Sequence, residues 1–391
     1  MLIYSHDSFG LGHIRRCRTI AHALAEAIPK LKVLIVSGSP IIGSFDFKTR
    51  VDFVRVPGII KLRSGDYVPL GQHGSIQTTT ALRSSLIRET ATSFEPDLFI
   101  VDKEPLGLRG ELEPTLEALK ARGTRLMLGL RDVLDEPSAL AAEWQRKNAK
   151  AAVETYYDDI LVYGLREVYD PLQGLELADT TLSRVSFTGY LRRSLPATKP
   201  SHAVPDIGER VLVTAGGGGD GEALIDWVLS TYEKHGAQLP KALIVPGPFM
   251  AAEHRHAFEH RISRLPQLRC ITFEPRMEHL VAGCKAIVSM GGYNTFCEIL
   301  SFDKRAVLVP RRVPRCEQTI RAQAAERLKL ATWVPEPDEG DTGDTERMAG
   351  VLASIEEQPA PSRHAPAGLL DGLPAVIDHS RRWLRQHPNS H

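Results

Sequence analysis

The chain has 391 residues, 42% hydrophobic and 25% charged, and its 48 Lys and Arg balance 48 Asp and Glu. That length accommodates two ordinary domains, and the even charge with this hydrophobic content points to neither a nucleic-acid binder nor a disordered chain. Five scattered cysteines without a C-x-x-C pair, no apolar run of the roughly 18–20 residues a membrane span needs, and no basic-then-apolar leader predict reduced thiols in a soluble, cytoplasmic protein.

Short β-rich runs alternate with helical patterns along the chain. Leu2–Ser5, Lys32–Ser37, Asp52–Val56, Asp97–Val101, Arg125–Leu130, Asp159–Val162 and Val185–Phe187 read as strands. His13 to Ala27, Ile76 to Ser93, Glu111 to Ala121 and Ala139 to Thr155 read as helices between them. The loop from Pro57 to Gln77 is long, glycine-dotted and basic at Lys61 and Arg63, which makes it a candidate acceptor-binding lid. The segment Arg192 to Gly208, with Pro196, Pro200 and Pro205 among small and polar residues, reads as a linker, with the domain boundary taken as 196–208. The alternation then restarts with strands at Arg210–Ala215, Ala242–Val245, Arg269–Phe273, Ala286–Ser289 and Ala306–Val309. Strands alternating with helices predict parallel sheets covered on both faces. The expected fold is therefore α/β, with two doubly wound Rossmann-like domains, 1–195 and 209–372, facing a cleft. A C-terminal helix and tail, 373–391, carries Val376, Ile377, Trp383 and Leu384 among arginines. It is expected to pack back on a domain, with contact to an anionic membrane surface as the alternative.

The most informative stretch is AIVSMGGYNTFCEIL, Ala286 to Leu300. A buried strand runs into Gly291-Gly292, and Asn294 or Thr295 is placed to cap the helix that follows. Unpaired N–H groups and a positive dipole end make such a turn an anion site. Glu298, one helical turn beyond Asn294, adds a carboxylate suited to a diol. A diphosphate on the turn and a diol on the carboxylate together describe a nucleoside diphosphate.

Two further glycine turns follow strands. After the first strand, Asp7 to His13 (DSFGLGH) carries Gly10 and Gly12 but has Arg15 where a dinucleotide fingerprint requires a third glycine. Gly12 instead brings His13 to the mouth of a helix, where an imidazole can act as a general base or merely cap and pack. Asp102, at the end of a strand, can orient His13, bind acceptor or cap a helix, and Asp132 has the same options. The second turn, Gly216 to Gly221 (GGGGDG), does fit G-x-G-x-x-G, so a nicotinamide dehydrogenase competes. The next strand ends in Pro246-Gly247-Pro248, however, and supplies no carboxylate for the ribose. Beyond the strand ending at Val309, Glu317 and Gln318 suit sugar hydroxyls, and Arg311, Arg312 and Arg315 could neutralise phosphate. His254, His256 and His260 cluster without a further metal ligand, and there is no paired-aspartate D-x-D pattern. No metal and no cofactor is expected.

A GxGH turn after the first strand, a glycine-rich loop opening the second half, and GGYNTxxE followed by Glu317-Gln318 resemble the two-domain GT-B glycosyltransferases. The chain is most similar to the family 28-like group that contains the N-acetylglucosaminyltransferase of peptidoglycan synthesis. The resemblance implies a sugar transferase using a nucleoside diphosphate sugar, with UDP as the expected nucleotide. Its donor side would comprise Gly216, Gly217, Gly218 and Gly219 near the diphosphate, together with Phe273, Met290, Gly291 and Gly292. Asn294 and Thr295 would face the diphosphate, Glu298 would hold the ribose, and Glu317 and Gln318 would read the sugar. His13 would lie on the acceptor side with Gly10, Gly12 and Arg15, as base or acceptor-positioning group; the position of Asp102 at its strand end, apart from the resemblance, makes it the second candidate catalytic residue. Where that group often has two adjacent amides, this chain has Glu317-Gln318. The turn Gly10 to Cys17, GLGHIRRC, also resembles the opening of a nucleotide-sugar hydrolase of the same fold, in which the histidine would activate water.

Overall fold

The computed structural model describes residues 1–6, 11–61, 67–71, 74–195, 207–217, 219–336 and 344–386. The chain divides into two compact units, Met1–Leu191 with Gly368–His391, and Arg192–Ala367. Gly10, Gly218, Arg63 and residues 196–206 of the expected linker lie outside the described residues.

The first unit contains β1 (Leu2–Ser5), α1 (Gly12–Ala27), β2 (Val33–Ser37), β3 (Val51–Arg55), β4 (Ile59–Lys61), β5 (Tyr67–Pro69), α2 (Ile76–Phe94) and β6 (Leu98–Asp102). It continues with α3 (Glu113–Ala121), β7 (Arg125–Arg131), α4 (Pro137–Arg146), α5 (Ala149–Tyr156), β8 (Asp159–Tyr163), α6 (Asp179–Leu182) and β9 (Val185–Phe187). Seven strands form a parallel sheet in the order β3-β2-β1-β6-β7-β8-β9. Its central strands read as unbroken apolar runs because helices cover both faces. Leu2, Phe99, Val101 and Leu128 are fully buried, each contributing about 1.5–3 kcal/mol through removal from water. The segment Pro57–Gln77, expected as a loop, includes the antiparallel hairpin β4–β5, with Ile59 paired to Pro69. The helix expected over Ala139–Thr155 is two helices, because Asn148 takes a left-handed conformation between them (φ 52°).

The second unit contains β10 (Val211–Thr214), α7 (Glu222–His235), β11 (Ala242–Val245), α8 (Ala252–Ile262), β12 (Leu268–Cys270), α9 (Met277–Gly283), β13 (Ala286–Ser289) and α10 (Tyr293–Ser301). It ends with β14 (Ala306–Leu308), α11 (Glu317–Arg327), β15 (Thr332–Trp333) and α12 (Thr345–Ala353). The sheet is again parallel, ordered β12-β11-β10-β13-β14-β15. Strand β12 stops at Cys270, so Phe273 stands in the loop beyond it, and the two-residue β15 is too short to register as a pattern.

Helix α13 (Gly372–Gln386) closes the chain and belongs to the first unit. Gly368–Gly372, expected in the second domain, joins it as well: Tyr190 N donates to Leu369 O (2.7 Å) and Gly372 N to Tyr190 O (3.2 Å). Val376 is buried. Trp383 Nε1 donates to Asp97 O (3.3 Å), and Arg125 stacks over the Trp383 ring. Val376 and Trp383, two of the apolar residues singled out for membrane contact, are thus packed on the protein, and Ile377 and Leu384 are half-buried. No described helix is long and apolar enough to cross a membrane.

Candidate functional site

In a doubly wound sheet, ligands gather beyond the carboxyl ends of the strands at the point where strand order reverses. In the first unit that point lies between β1 and β6, and it brings together two residues 89 apart in sequence. His13 Nδ1 is 2.5 Å from Asp102 Oδ2. Gly12 and His13 open α1, while Asp102 ends β6. A third residue completes the group. Arg16 is buried and donates from Nε to Asp102 Oδ1 and from Nη2 to Asp102 Oδ2, both at 2.7 Å. The acceptor-side residue expected from the sequence was Arg15, one position away and half-buried. Helical spacing explains the difference. Arg16 lies three residues from His13 and so shares its face, whereas Arg15 does not.

The electrostatics follow from this packing. Burial favours the neutral carboxyl of Asp102, but Arg16 and His13 overcome it and hold the group well below the usual carboxylate range. Burial dominates at His13 and lowers its pKa to about 4, against the opposing pull of Asp102. Asp102 can only accept, so the short contact places the imidazole proton on Nδ1 and leaves Nε2 as a free acceptor. Arg16 Nη2 also stands 3.1 Å from Nδ1. A guanidinium only donates, so with the proton on Nδ1 it serves Asp102 and disfavours a second charge on His13. Asp132 has another role: it is buried and accepts from the Tyr190 hydroxyl at 2.9 Å.

In the second unit the reversal lies between β10 and β13, whose last residues, Thr214 and Ser289, pair in register. The two glycine turns therefore leave the sheet side by side. Each is tied to its strand by a hydroxyl: Gly216 N donates to Thr214 Oγ1 (3.1 Å) and Gly291 N to Ser289 Oγ (3.3 Å). Gly216 and Gly291 have φ of 67° and 73°, a left-handed conformation in which a side chain is strained. Gly217 and Gly219 stand in the same turn as Gly216. Met290 is buried between the turns, its sulfur 3.3 Å from where a Cβ on Gly221 would stand.

Helix α10 starts at Tyr293 with Gly292 as N-cap, and no side chain caps it. Asn294 and Thr295 are thus inside the first turn rather than at the cap expected of them, because the second glycine already turns the chain. The Asn294 side chain accepts from Arg193 Nη2 at 2.7 Å, and both are buried. Glu298 is 1% exposed, so contact with a ribose requires its side chain to turn outward.

Glu317 and Gln318 form the first turn of α11, beyond the neighbouring strand β14, and both are buried. Arg311 gathers them: its Nη2 donates to Glu317 Oε1 (2.9 Å) and its N–H to Gln318 Oε1 (3.2 Å), while its Nε pairs with Asp220 of the glycine loop. Phe273 is half-buried, and Thr272 O beside it accepts from Gly247 N (3.0 Å). Of the histidine cluster, His254 contacts Glu222 and His260 contacts Arg264. No group of three potential metal ligands occurs among the described residues.

Arg16, Arg193 and Asp220 were not legible as site residues. Only the i,i+3 relation of Arg16 to His13 carried any signal; Arg193 stood in a proline-rich stretch read as linker.

Residues 210–342, which hold all of these second-unit elements except Arg193, match the glycosyltransferase family 28 C-terminal domain. No curated protein sequence matches the chain. Among solved structures, MurG from Acinetobacter baumannii is similar with 11% identity, TM-score 0.60, and coverage of 99% of this chain and 98% of that one. The Phytolacca americana UGT2 complexed with UDP-2-fluoro-glucose and pterostilbene has 13% identity, TM-score 0.61, and coverage of 98% and 99%. The glycosyltransferase VinC in complex with dTDP has 16% identity, TM-score 0.59, and coverage of 98% of each chain. At these identities the structural likeness speaks for the fold.

Proposed function

The chain is a family 28-like glycosyltransferase of the GT-B fold, and from that premise we propose that it transfers a sugar from a uridine diphosphate sugar to an acceptor hydroxyl, with His13 as base and no metal ion. The observation that carries the role of His13 is its Nδ1 contact with Asp102, which leaves Nε2 ready to accept a proton. As the acceptor oxygen bonds to the anomeric carbon, the bond from that carbon to the diphosphate breaks. The acceptor proton passes to Nε2, and Asp102 stabilises the resulting imidazolium. The diphosphate leaves onto the N–H groups of the paired glycine turns and the first turn of α10, a preorganised electrostatic role. Glu298 is assigned to the ribose hydroxyls, and Glu317 and Gln318 to the donor sugar. The Phytolacca americana neighbour was solved with a uridine nucleotide sugar and VinC with dTDP, so both nucleotides belong in the test.

That test is NMR of the whole chain with a panel of UDP and dTDP sugars, without acceptor and with EDTA present. Saturation transfer to one nucleotide sugar that stays intact supports the transferase and names its donor. Rapid release of free sugar would instead make the chain a nucleotide-sugar hydrolase, with water in the place of the acceptor. Binding of none would overturn the donor assignment. Once an acceptor is found, His13→Ala should lower turnover by about 10²–10⁴, and EDTA should leave it within about twofold.

A further inference from the structure

Beside the His13–Asp102 pair, the first unit holds a cavity of about 530 Å³ that none of these roles uses. Its walls come from four places. His6 follows β1, Tyr67 stands on β5, the loop Glu104–Gly110 follows β6, and Arg146, Lys147 and Ala149 span the junction of α4 and α5. Beyond the carboxyl end of β6, it occupies the place where a doubly wound sheet receives ligands.

The loop is held in an unusual shape. Lys103 (φ 69°), Gly107 (68°), Arg109 (52°) and Gly110 (85°) are all left-handed, and two of them are not glycine. Backbone strain of that kind persists where surrounding structure enforces it, and it gathers at binding sites. Here the enforcement is visible. Leu108 N donates to the buried Tyr4 hydroxyl (3.2 Å), and Gly107 N donates to Glu104 O (2.9 Å). A Cβ on Gly107 would stand 2.7 Å from Leu112 Cγ.

Charge in the cavity is unbalanced. The Glu104 carboxylate is met by Lys103 (2.9 Å) and by Lys147 (2.8 Å), and Lys147 also meets Glu143 (2.5 Å). Arg109 and Arg146 have no ion-pair partner among the described residues and are exposed at the cavity wall. Two guanidinium groups left over in one concavity are suited to a planar or tetrahedral oxyanion. Tyr67 and Leu106, both half-buried, offer an uncharged surface in the same lining, with the buried Leu108 behind them. The cavity also adjoins the candidate base, since the His6 ring stands edge-on to the His13 ring at 5.5 Å between centroids.

We propose that this cavity seats the acceptor, and that the acceptor carries an oxyanion, a carboxylate or a phosphate ester, held by Arg109 and Arg146 with its uncharged body against Tyr67 and Leu106. The inference rests on the transferase reading for the word acceptor, but the anion site can be tested without it. The probes are phenyl phosphate, benzoate and neutral phenol, titrated calorimetrically into the whole chain with and without saturating UDP. With UDP present, at least one of the two anions should bind more tightly than phenol, and which one does separates a phosphate from a carboxylate. The Arg109→Ala/Arg146→Ala double variant should lose at least tenfold of that affinity while its UDP affinity stays unchanged. Equal anion binding by the variant, or no anion binding by the native chain, would overturn the proposal. Failure of UDP to bind would instead overturn the donor site, so the two readings fail separately.

Discussion

Arg16 forms a bidentate pair with Asp102, and the same carboxylate contacts His13, so one buried cation sets the state of two other groups. It keeps Asp102 ionised in a buried place, and its positive charge disfavours protonation of His13. Asp102→Asn removes the charge that would stabilise an imidazolium, and the new amide can offer a donor to Nδ1. Turnover should then fall by about 10²–10⁴ while donor KM changes little. Arg16→Met is a different lesion. It leaves a buried carboxylate short of its main partner and should destabilise the chain by about 3–5 kcal/mol in urea unfolding. An Arg16→Met protein as stable as the native one would show that the ion pair is not what holds Asp102.

The lowered pKa of His13 sets a pH window. The neutral, proton-accepting form persists until the pH approaches about 4, so at pH 5 roughly nine-tenths of the imidazole remains competent. The acid limb of kcat/KM should therefore lie near pH 4 to 5 and not near 6.5. A limb at 6.5 that vanishes in His13→Ala would refute the assigned environment. Stability follows the same group. Its folded pKa lies below the unfolded value of 6.5, so the unfolded chain takes up the proton first, and stability is lost as pH falls from about 6.5 to about 4. For His13 the loss amounts to roughly 3 kcal/mol. His6 and His22 are also lowered, chiefly by burial, and act in the same direction. Asp102 and Glu104, whose folded values lie below the ordinary carboxylate range, contribute stability that is lost only at still lower pH. Urea midpoints at pH 7.5 and 5 should differ, and His13→Asn should reduce the difference.

Glu298 distinguishes ligand contact from support of the fold. Glu298→Gln keeps the volume and removes the charge. If the carboxylate accepts from both ribose hydroxyls, nucleotide affinity should fall about 10- to 100-fold, the size of hydrogen bonds to a charged group. Tm should then move by only a few degrees. A large drop in Tm with unchanged UDP affinity would assign the buried carboxylate to holding α10 instead.

Much of this was legible in the sequence, for a physical reason. Strands such as Ala286–Ser289 and Val211–Thr214 are fully buried, so both faces must be apolar and the run stands out. The turn at Gly291 needs left-handed backbone, so glycine marks it. What stayed hidden depends on contacts between distant segments. Arg16 looks like any helical arginine until β6 delivers Asp102 beside it. Arg193 looks like linker until its guanidinium meets Asn294, 101 residues on. The hairpin β4–β5 escaped because three-residue strands carry too little alternation to be seen.

Gly247 provides a contrast with Gly216 that separates strain from collision. Both are left-handed, at φ 99° and 67°. A Cβ on Gly216 meets nothing within 4 Å, whereas a Cβ on Gly247 would stand 2.5 Å from Gly216 O and 2.7 Å from Gly217 C. Phe249 N, just beyond, already donates to Gly217 O at 3.0 Å, so the two turns are packed backbone to backbone. Gly216→Ala should therefore cost only the strain of a left-handed alanine, about 1–2 kcal/mol. Gly247→Ala adds a clash with backbone that cannot swing aside, and relief requires the phosphate-side turn to move. UDP affinity should fall at least tenfold more in Gly247→Ala than in Gly216→Ala, with both measured by calorimetry on folded protein. Equal losses in the two variants would mean that the position of the Gly216–Gly217 turn does not govern nucleotide binding.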